Sequence, residues 1–385
     1  MATVMASALR GEPEAQTSVE IVDQTTGFEA LRLQWNGLLR ASASNNPFLT
    51  WEWLYSWWTR LGEGSRLRLL VVRVGTQVVA IAPLRAVRIG SPWFSSLEFL
   101  GTGLAGSDYL DLIVRSGFEG TAIEAFAESI TSQGLALRLS HLPAGSLASR
   151  LAARLEEHGW ARRESPVGWC PLIRLAGHSW ESYLASRGPA HRANVRRRIR
   201  SLLRTFTVQF ERVATDSRRL EVLTALTRFH DRRFDGPRGS TAFQTPGLQA
   251  FHRDVTERAL DAGWLRLYAL LLDGQIAGVM YAFTDGQRFY FYQHGFDERY
   301  DKYSLGLVLM ALTVRASIEE GAAEFDLLCG VESYKWLWAD DKRPLSHVDL
   351  FPARLGGWVY QRTIETTSRF RALARRMRVR EGHVA

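Results

Sequence analysis

Lysine is scarce in this chain. Of its 48 basic residues only Lys302, Lys335 and Lys342 are lysines, and the rest are arginines. Arginine is permanently charged, whereas the pKa of a lysine ammonium shifts readily on burial. Because all three lysines lie between positions 302 and 342, we predict a site in that window that needs an ammonium, with Lys335 as its best candidate. The competing interpretation is a lysine-poor composition in which three lysines cluster by chance.

Cysteine and long apolar stretches are also lacking. The two cysteines, Cys170 and Cys329, make neither a disulfide framework nor a metal-binding motif, so we expect a reducing, cytoplasmic setting and no metal. No apolar run approaches the roughly 18 residues that suggest a membrane span. The first residues contain no apolar core of a secretory signal, and residues 1–18 are predicted to be a disordered leader.

The length and net charge of the chain indicate how many domains it has and what kinds of ligand it binds. At 385 residues the chain exceeds the size of one ordinary hydrophobic core, so two domains are expected. We place them at residues 19–175 and 176–355, followed by an Arg-rich helix at 356–385. The net charge of +8 favours anionic ligands, which include phosphates, a coenzyme, a nucleic acid and a lipid surface.

The two halves repeat the same order of parts. Residues 67–87 contain two β-rich runs around a turn, and residues 264–293 contain three such runs separated by Asp-Gly turns, a strong hairpin signal. Each set precedes a helical pattern, at 118–133 and 305–320, that ends at a glycine and leads into another strand. The pattern predicts two tandem α/β (α+β) units, each a mostly antiparallel twisted sheet flanked by helices.

Short motifs occur in order along both halves. The first half contains Ser107-Asp108-Tyr109-Leu110-Asp111, and the second contains Gly295-Phe296-Asp297, Tyr303-Ser304-x-Gly306 and Glu332-x-Tyr334-Lys335. Over roughly residues 20–355 the chain resembles the two-domain GNAT-superfamily acyltransferases of the bacterial CelD-like group, the cellulose-biosynthesis acetyltransferases. The resemblance implies tandem GNAT units that transfer an acyl group, acetyl in the first instance, from acyl-coenzyme A. The implied acceptor is an amine or hydroxyl of a sugar, amino sugar or envelope precursor.

The resemblance also implies a place for the donor's phosphates. In GNAT proteins the pyrophosphate meets the loop and helix N-terminus after the fourth strand, where backbone amides and the helix dipole attract an anion. Here that segment is Lys302, Tyr303, Ser304, Leu305 and Gly306, with Ser304 as the expected N-cap. One glycine of the superfamily's usual pattern remains, so an ordinary capped helix is the competing interpretation.

Four polar residues are candidates for catalysis. Lys335 stands between aromatic residues and would stabilise a developing oxyanion if partly buried, unless it merely covers an aromatic surface. Asp326 lies in the strand pattern EFDLL, where a buried carboxylate needs a partner, so it is a base, an anchor for an amine or the partner of an arginine. His294 titrates nearest neutral pH, although a lone histidine is more often structural. Glu332 is a candidate partner of Lys335.

Four other residues are assigned to acceptor binding. Tyr334 and Asp297 belong to the motifs of the second half, and Asp108 and Asp111, from the first half, would serve the acceptor or the domain interface. Cys329 would suit a covalent acyl intermediate, but a cysteine at a strand end is more often a small hydrophobe.

Two alternatives arise from other features. Arg196 and Arg197 lie on the polar face of an Arg-rich helical pattern, which suits the phosphates of tRNA, a nucleotide-sugar or a lipid, although a solvated face is the simpler interpretation. Tyr334-Lys335-x-x-Trp338 is similar to the Phe-Lys-x-x-Phe element of Fem-type transferases, which implies an aminoacyl-tRNA donor. The other alternative is a non-catalytic accessory protein of polysaccharide synthesis.

Overall fold

The computed structural model describes residues 16–89, 91–233, 243–330 and 332–352. Most of the predicted leader and all of the predicted C-terminal helix at 356–385 lie outside these residues. The first strand begins at Thr17, at the end of the segment that was assigned to the leader. Within the described residues no helix combines the length and the apolar character that crossing a membrane requires.

Thirteen strands are present in the described chain. They are β1 (Thr17–Val22), β2 (Arg66–Val74), β3 (Gln77–Ile89), β4 (Ser91–Phe99), β5 (Ile113–Val114), β6 (Ala136–Pro143), β7 (Ala161–Arg174), β8 (Val208–Arg212), β9 (Leu265–Leu272), β10 (Gln275–Thr284), β11 (Arg288–Phe296), β12 (Glu324–Asp326) and β13 (Asp341–Phe351).

Ten α-helices flank the sheet in the same residues. They are α1 (Thr25–Ala30), α2 (Arg32–Arg40), α3 (Trp51–Leu61), α4 (Glu119–Gln133), α5 (Leu147–Glu157), α6 (Trp180–Ser186), α7 (Pro189–Thr205), α8 (Asp216–Arg233), α9 (Pro246–Asp261) and α10 (Leu305–Glu319). Three 3-10 helices span Pro47–Leu49, Glu298–Tyr303 and Ser333–Leu337.

Local sequence chemistry explains the repeated elements. The Asp273-Gly274 turn has positive φ at both residues, which matches the twist of the antiparallel β9–β10 hairpin. Helix α4 ends at Gly134 and α10 is followed by Gly321, both in the left-handed region where glycine has no Cβ penalty. The predicted hairpin, meander and helices of the two halves are therefore confirmed, with β12 shorter than the strand pattern suggested.

The strands form one sheet that runs through both halves. Its order is β1-β2-β3-β4-β6-β13-β7-β12-β11-β10-β9-β8, with β5 paired to β3. Two neighbouring pairs, β4 with β6 and β11 with β12, are parallel, and the other described pairs are antiparallel. These parallel pairs occupy corresponding places in the two halves, as a duplicated unit requires.

Strand β13 crosses from the second half into the sheet of the first. It lies between β6 and β7 and pairs antiparallel with both. Strand β7 in turn carries β12 on its other edge through Leu172, Ile173 and Arg174. The last described strand therefore completes the first unit's sheet, and β7 belongs to both units. The predicted division at 175/176 remains a prediction about domains.

The core also joins the halves. Trp53 of α3 lies edge-on to Phe251 of α9 and Phe283 of β10, with ring centroids 5.0 and 5.5 Å away. The same apolar cluster extends from α2 in the first half to β11 in the second. A second cluster lies around α6, α7 and α10. Because buried aromatic rings connect the two units, the loops at their junction have defined relative positions.

Candidate active site between the two halves

Strands β11 and β12 pair for only three residues and then part. The parallel register joins Arg288 to Glu324 and Tyr290 to Asp326, after which β11 continues to Phe296 while β12 ends. The next residue, Leu327, donates its N–H to the carbonyl oxygen of Pro171 on β7 at 2.9 Å. The chain after Asp326 therefore follows β7, and the edge of β11 beyond Tyr290 has no strand partner on this side within the described residues.

Asp326 lies at the base of this gap and is fully buried. Its Oδ2 accepts a 2.5 Å hydrogen bond from the Tyr109 hydroxyl and a 3.2 Å bond from Arg343, and its Oδ1 accepts from the amide of Leu328 at 2.8 Å. Burial raises the pKa of Asp326 to about 7, against the opposing effects of the Tyr109, Leu328 and Arg343 contacts. This carboxyl can exchange a proton near neutral pH.

A second buried carboxylate, Asp108 of the first half, contacts the loop that follows β12. Its Oδ2 accepts the amide of Cys329 at 2.7 Å and lies 4.0 Å from the Cys170 sulfur. His141 on β6 places its Nε2 3.9 Å from Asp108 Oδ1. Burial raises the pKa of Asp108 to about 6, opposed by the Cys329 amide and the Lys335 ammonium. Tyr109 thus binds the last residue of β12, and Asp108 binds the loop that follows that strand.

Lys335 is nearly buried and holds that loop from the other side. Its Nζ lies 3.4 Å from the carbonyl oxygens of Leu328 and Cys329 and 3.1 Å from Glu332 Oε2. The predicted pairing with Glu332 is therefore present. The ammonium therefore faces three acceptors and connects Glu332 to the carbonyls of Leu328 and Cys329. Stabilisation of an oxyanion remains a prediction that requires one of these contacts to open.

Backbone strain is concentrated around this site. The described residues contain five non-glycine residues with positive φ, and Asp273 belongs to an ordinary hairpin turn. The other four are Tyr109, His141, Leu328 and Ser304, with φ between 56° and 60°. A left-handed conformation costs of order 1–3 kcal/mol for a residue with a Cβ and persists where surrounding contacts enforce it, often at functional sites. Three of these residues, Tyr109, His141 and Leu328, belong to or adjoin the contacts of Asp108 and Asp326, and Ser304 begins α10.

The predicted phosphate segment forms the start of α10. Ser304 is the N-cap, as predicted, but its backbone is left-handed and its side chain makes no capping hydrogen bond. Leu305 is buried, whereas the Lys302 side chain is exposed and lies over the Tyr303 ring. A Cβ on Gly306 would approach Phe296 to 2.9 Å, so close helix–strand packing explains this glycine. The amide of Leu307 already donates to the carbonyl oxygen of Ser304 at 3.0 Å, which leaves the amides of Leu305 and Gly306 at the helix start as the ones suited to an anion.

His294 and Tyr334 lie together at the open edge of β11. Their rings meet edge-on with centroids 5.8 Å apart, and His294 stacks near Phe296 at 5.9 Å. A register irregularity in the β10–β11 pairing next to Tyr292 shifts the residues that follow it. His294 therefore shares a face with Phe291 and Phe296 rather than with Tyr290. Local bulges of this kind re-aim side chains beside many active sites.

Two predicted acceptor residues have structural partners. Asp297 caps the 3-10 helix that follows it and pairs with Arg299, whose guanidinium lies 2.6 Å from Oδ2. Asp111 accepts the amides of Leu147 and Ala148 at the start of α5, at 3.1 and 2.7 Å. Burial raises the pKa of Asp111 to about 6 despite these bonds. Their assignment to the acceptor remains a prediction.

Arg196 and Arg197 lie on the exposed face of α7, away from the buried carboxylates. The helix contains six arginines and no acidic residue. Arg197 donates to Asn194, and Arg196 borders a groove of about 480 Å³. A third arginine, Arg198, donates to the carbonyl of Lys302 at 2.7 Å, which connects α7 to the start of α10.

An open pocket of about 570 Å³ adjoins the Tyr109–Asp326 pair. Its lining includes Asn45, Tyr109, Arg150, Arg288, Tyr290 and Arg343. Because Tyr290 and Asp326 are register partners, they lie on one face of the sheet, and Tyr109 connects the pocket to the carboxyl. The pocket contains residues of both halves.

Several of these residues were not predicted as site residues. Tyr109 falls inside a motif of the first half, and that motif was its only sequence signal. His141, Cys170 and Arg343 carry no local signal, because their partners lie far along the chain.

Comparison with known proteins agrees with this architecture. Residues 189–336 match a family model described as an acetyltransferase (GNAT) domain. The fold is similar to the crystal structure of FemX, with a TM-score of 0.60 and 11% identity over 86% of this chain and 97% of that chain. It is also similar to L-PGS from Bacillus licheniformis, with a TM-score of 0.55 and 12% identity over 86% and 95%.

A third similar structure is a conserved protein of unknown function from Bacteroides thetaiotaomicron, with a TM-score of 0.56 and 13% identity over 87% of this chain and all of that one. No curated protein matches the sequence. The predicted fold class is confirmed, and the second half contains the segment that is similar to a GNAT acetyltransferase domain.

Proposed function

We propose that this chain is an acyltransferase that moves an acyl group, in the first instance acetyl, from acyl-coenzyme A to an amine or hydroxyl. The observation that carries the proposal is the parting of β11 and β12 directly beside the buried Tyr109–Asp326 pair. A gap in a sheet exposes strand edges that can bind an extended donor by backbone hydrogen bonds. Its base holds a carboxyl with a pKa of about 7.

The donor's phosphates belong at the start of α10 in this proposal. The amides of Leu305 and Gly306 and the positive end of the helix dipole attract an anion there. The exposed Lys302 ammonium adds a positive charge next to those amides. The segment follows β11, so a donor lying along the open edge of this strand would reach from Lys302 towards Asp326.

The acceptor belongs in the pocket that Tyr109 and Tyr290 line. Its nucleophilic nitrogen or oxygen attacks the thioester carbonyl, a tetrahedral oxyanion forms, and the carbon–sulfur bond then breaks to release the coenzyme thiolate. The acceptor's proton can pass through the Tyr109 hydroxyl to Asp326, because these groups are already hydrogen-bonded. Hydroxyl and arginine groups around the pocket suit a polar acceptor, and the resemblance to the CelD-like group favours a sugar, amino sugar or envelope precursor.

Donor binding is tested by thermal stabilisation. Acetyl-coenzyme A at 100 times its Kd should stabilise the protein by about 2.7 kcal/mol, which for a chain of this length corresponds to roughly 3 °C. Lys302→Glu should weaken binding roughly tenfold, because a surface attraction becomes a repulsion. Gly306→Glu is unsuitable, since the Phe296 ring occupies the space that a side chain would need.

The matched control is Lys342→Glu, the same charge change at another exposed lysine. It should leave donor binding unchanged. Equal weakening by both substitutions, or no stabilisation by acetyl-coenzyme A or a longer acyl-coenzyme A, contradicts the donor site. Coenzyme binding without acceptor-dependent thiol release, over a broad set of amines and sugars, would favour the accessory-protein alternative.

Transfer from aminoacyl-tRNA is the second candidate, and the six arginines of α7 favour it. It predicts stabilisation by an aminoacylated tRNA but not by coenzyme A. It also predicts that Arg196→Gln and Arg197→Gln each reduce the salt dependence of binding, because each removes one phosphate contact. Retained tRNA affinity in the double variant would argue against this candidate.

A further inference from the structure

The only two cysteines of the chain meet at the junction of the halves. Cys170 lies on β7 and Cys329 in the loop after β12, yet their sulfur atoms and one carboxylate oxygen of Asp108 all lie within 4.8 Å of one another. Asp108 Oδ2 and the Cys170 sulfur are 4.0 Å apart. Three metal-ligating atoms from three separate segments therefore converge, although the number and spacing of the cysteines suggested no such site.

A histidine stands next to this group. The Nε2 of His141 lies 3.9 Å from Asp108 Oδ1, and its other ring nitrogen is buried without a hydrogen-bond partner among the described residues. Two thiols, a carboxylate and an imidazole are a suitable ligand set for a tetrahedral, borderline-soft cation such as Zn²⁺. The imidazole and the carboxylate come from the first half, and Cys329 comes from the second.

Strained backbone conformations beside these residues indicate that the tertiary structure holds the four groups together. His141 has a φ of +60°, Tyr109 next to Asp108 has +56°, and Leu328 next to Cys329 has +57°. Three of the four ligand residues therefore hold or adjoin a costly backbone conformation. Gly168 on β7 leaves room for the Cys329 sulfur, since a Cβ there would lie 2.8 Å from it. Binding of a cation by all four groups would offset the cost of holding them together.

We propose that Asp108, His141, Cys170 and Cys329 form a binding site for Zn²⁺ or a similar divalent cation that pins the two halves together. A zinc–sulfur distance of about 2.3 Å in a tetrahedron places ligand atoms about 3.8 Å apart, so shifts of about 1 Å bring the two sulfurs and the Asp108 oxygen into place. The His141 ring must also move towards the two sulfurs to supply the fourth ligand. On binding, each thiol loses its proton to solvent and donates a sulfur lone pair to the metal. Glu332 and two carbonyls engage the nearby Lys335 ammonium, which limits its repulsion of the cation.

The site is independent of the donor and acceptor assignments and is tested without any activity. The reduced, chelator-treated full chain is titrated with Co²⁺, which reports thiolate ligands by a sulfur-to-cobalt charge-transfer band in the near ultraviolet, and then with Zn²⁺ in competition. One equivalent of Co²⁺ should bind and produce this band. Zn²⁺ should then displace the Co²⁺ and raise the Tm of the protein. Because loss of an outer-shell partner alone costs 10–100-fold in affinity, Cys170→Ser or Cys329→Ser should weaken binding by more than about a hundredfold.

The control is His178→Gln, which changes a half-buried histidine elsewhere and should leave metal affinity unchanged. His141→Gln should weaken binding but keep the thiolate band, and it covers the case in which a cysteine variant fails to fold. Cobalt binding without the band, or equal affinity in all variants, overturns the proposal. A thiol titration of metal-free protein purified without reductant can also overturn the proposal. If the two thiols are detected only after reduction, the two cysteines form a disulfide and not a metal site.

Discussion

Tyr109→Phe removes one oxygen atom from the contact that joins the two halves at Asp326. The hydroxyl donates to Asp326 Oδ2 at 2.5 Å, and both groups are buried. A hydrogen bond to a charged group contributes about 1.5–3 kcal/mol. With an unfolding entropy of about 0.8 kcal/mol/K for a chain of this length, Tm should fall by roughly 2–4 °C. The phenylalanine ring keeps the packing, so the loss reports the hydroxyl.

The same substitution should change how stability depends on pH. The folded-state pKa of Asp326, about 7, lies above its ordinary value of 3.8. At a pH between these two values the folded state holds the proton more tightly than the unfolded state does. The contribution of this carboxyl to the free energy of unfolding is therefore full at low pH and is lost as the pH rises. The slope is at most about 1.4 kcal/mol per pH unit. Since Tyr109 favours the ionised form, its removal should extend this decline to higher pH.

The measurement is denaturant unfolding between pH 5 and 8, with Tyr183→Phe as the control. The Tyr183 hydroxyl is also buried but donates to a neutral carbonyl, that of Trp338, at 2.9 Å. Its removal should cost about 0.5–1.5 kcal/mol with no change in the pH profile. If both variants lose the same stability with the same profile, the Tyr109 hydroxyl does not act on an ionisable Asp326. The proton route through this pair then fails as well.

Three further substitutions test the junction. Asp326→Asn should flatten the decline of stability with pH in denaturant titrations, and an unchanged slope would assign that decline to other carboxyls. Lys335→Met should reduce the rate of acyl transfer by about 10²–10³-fold if the ammonium stabilises the oxyanion. Steady-state rates near those of wild type would show that Lys335 only holds the loop in place. Gly168→Ala should destabilise by about 1–3 kcal/mol in denaturant unfolding because its Cβ meets the Cys329 sulfur at 2.8 Å, whereas Gly37→Ala, in a helix with open space, should not.

Much of the fold could be predicted because its signals are local. The Asp-Gly turn at Asp273, the left-handed glycine after α4 and the run of helix-forming apolar residues in α10 each involve neighbouring residues. Repetition of these signals in one order was enough to predict two similar units. The parting of β11 from β12 had no such signal, since it depends on Leu327 bonding to β7 instead of continuing the pair.

The candidate site could be predicted only in part. Lysine clustering and the carboxylate inside a strand pointed to Lys335 and Asp326, and both lie in the junction. Ser304 occupies the predicted N-cap position of α10, but its backbone is left-handed and its side chain makes no capping hydrogen bond. Gly306 has a packing role against Phe296 that a motif alone does not reveal.

The sequence alone determined the kinds of element, the turns between them and the window in which the ammonium lies, because hydrogen-bonding and steric preferences act over a few residues. Only the tertiary structure decided which distant groups meet. Tyr109 and Asp326 are 217 positions apart, and Cys170 and Cys329 lie on separate segments. Long-range packing sets such contacts through the insertion of β13 and the shared strand β7, which no local pattern encodes.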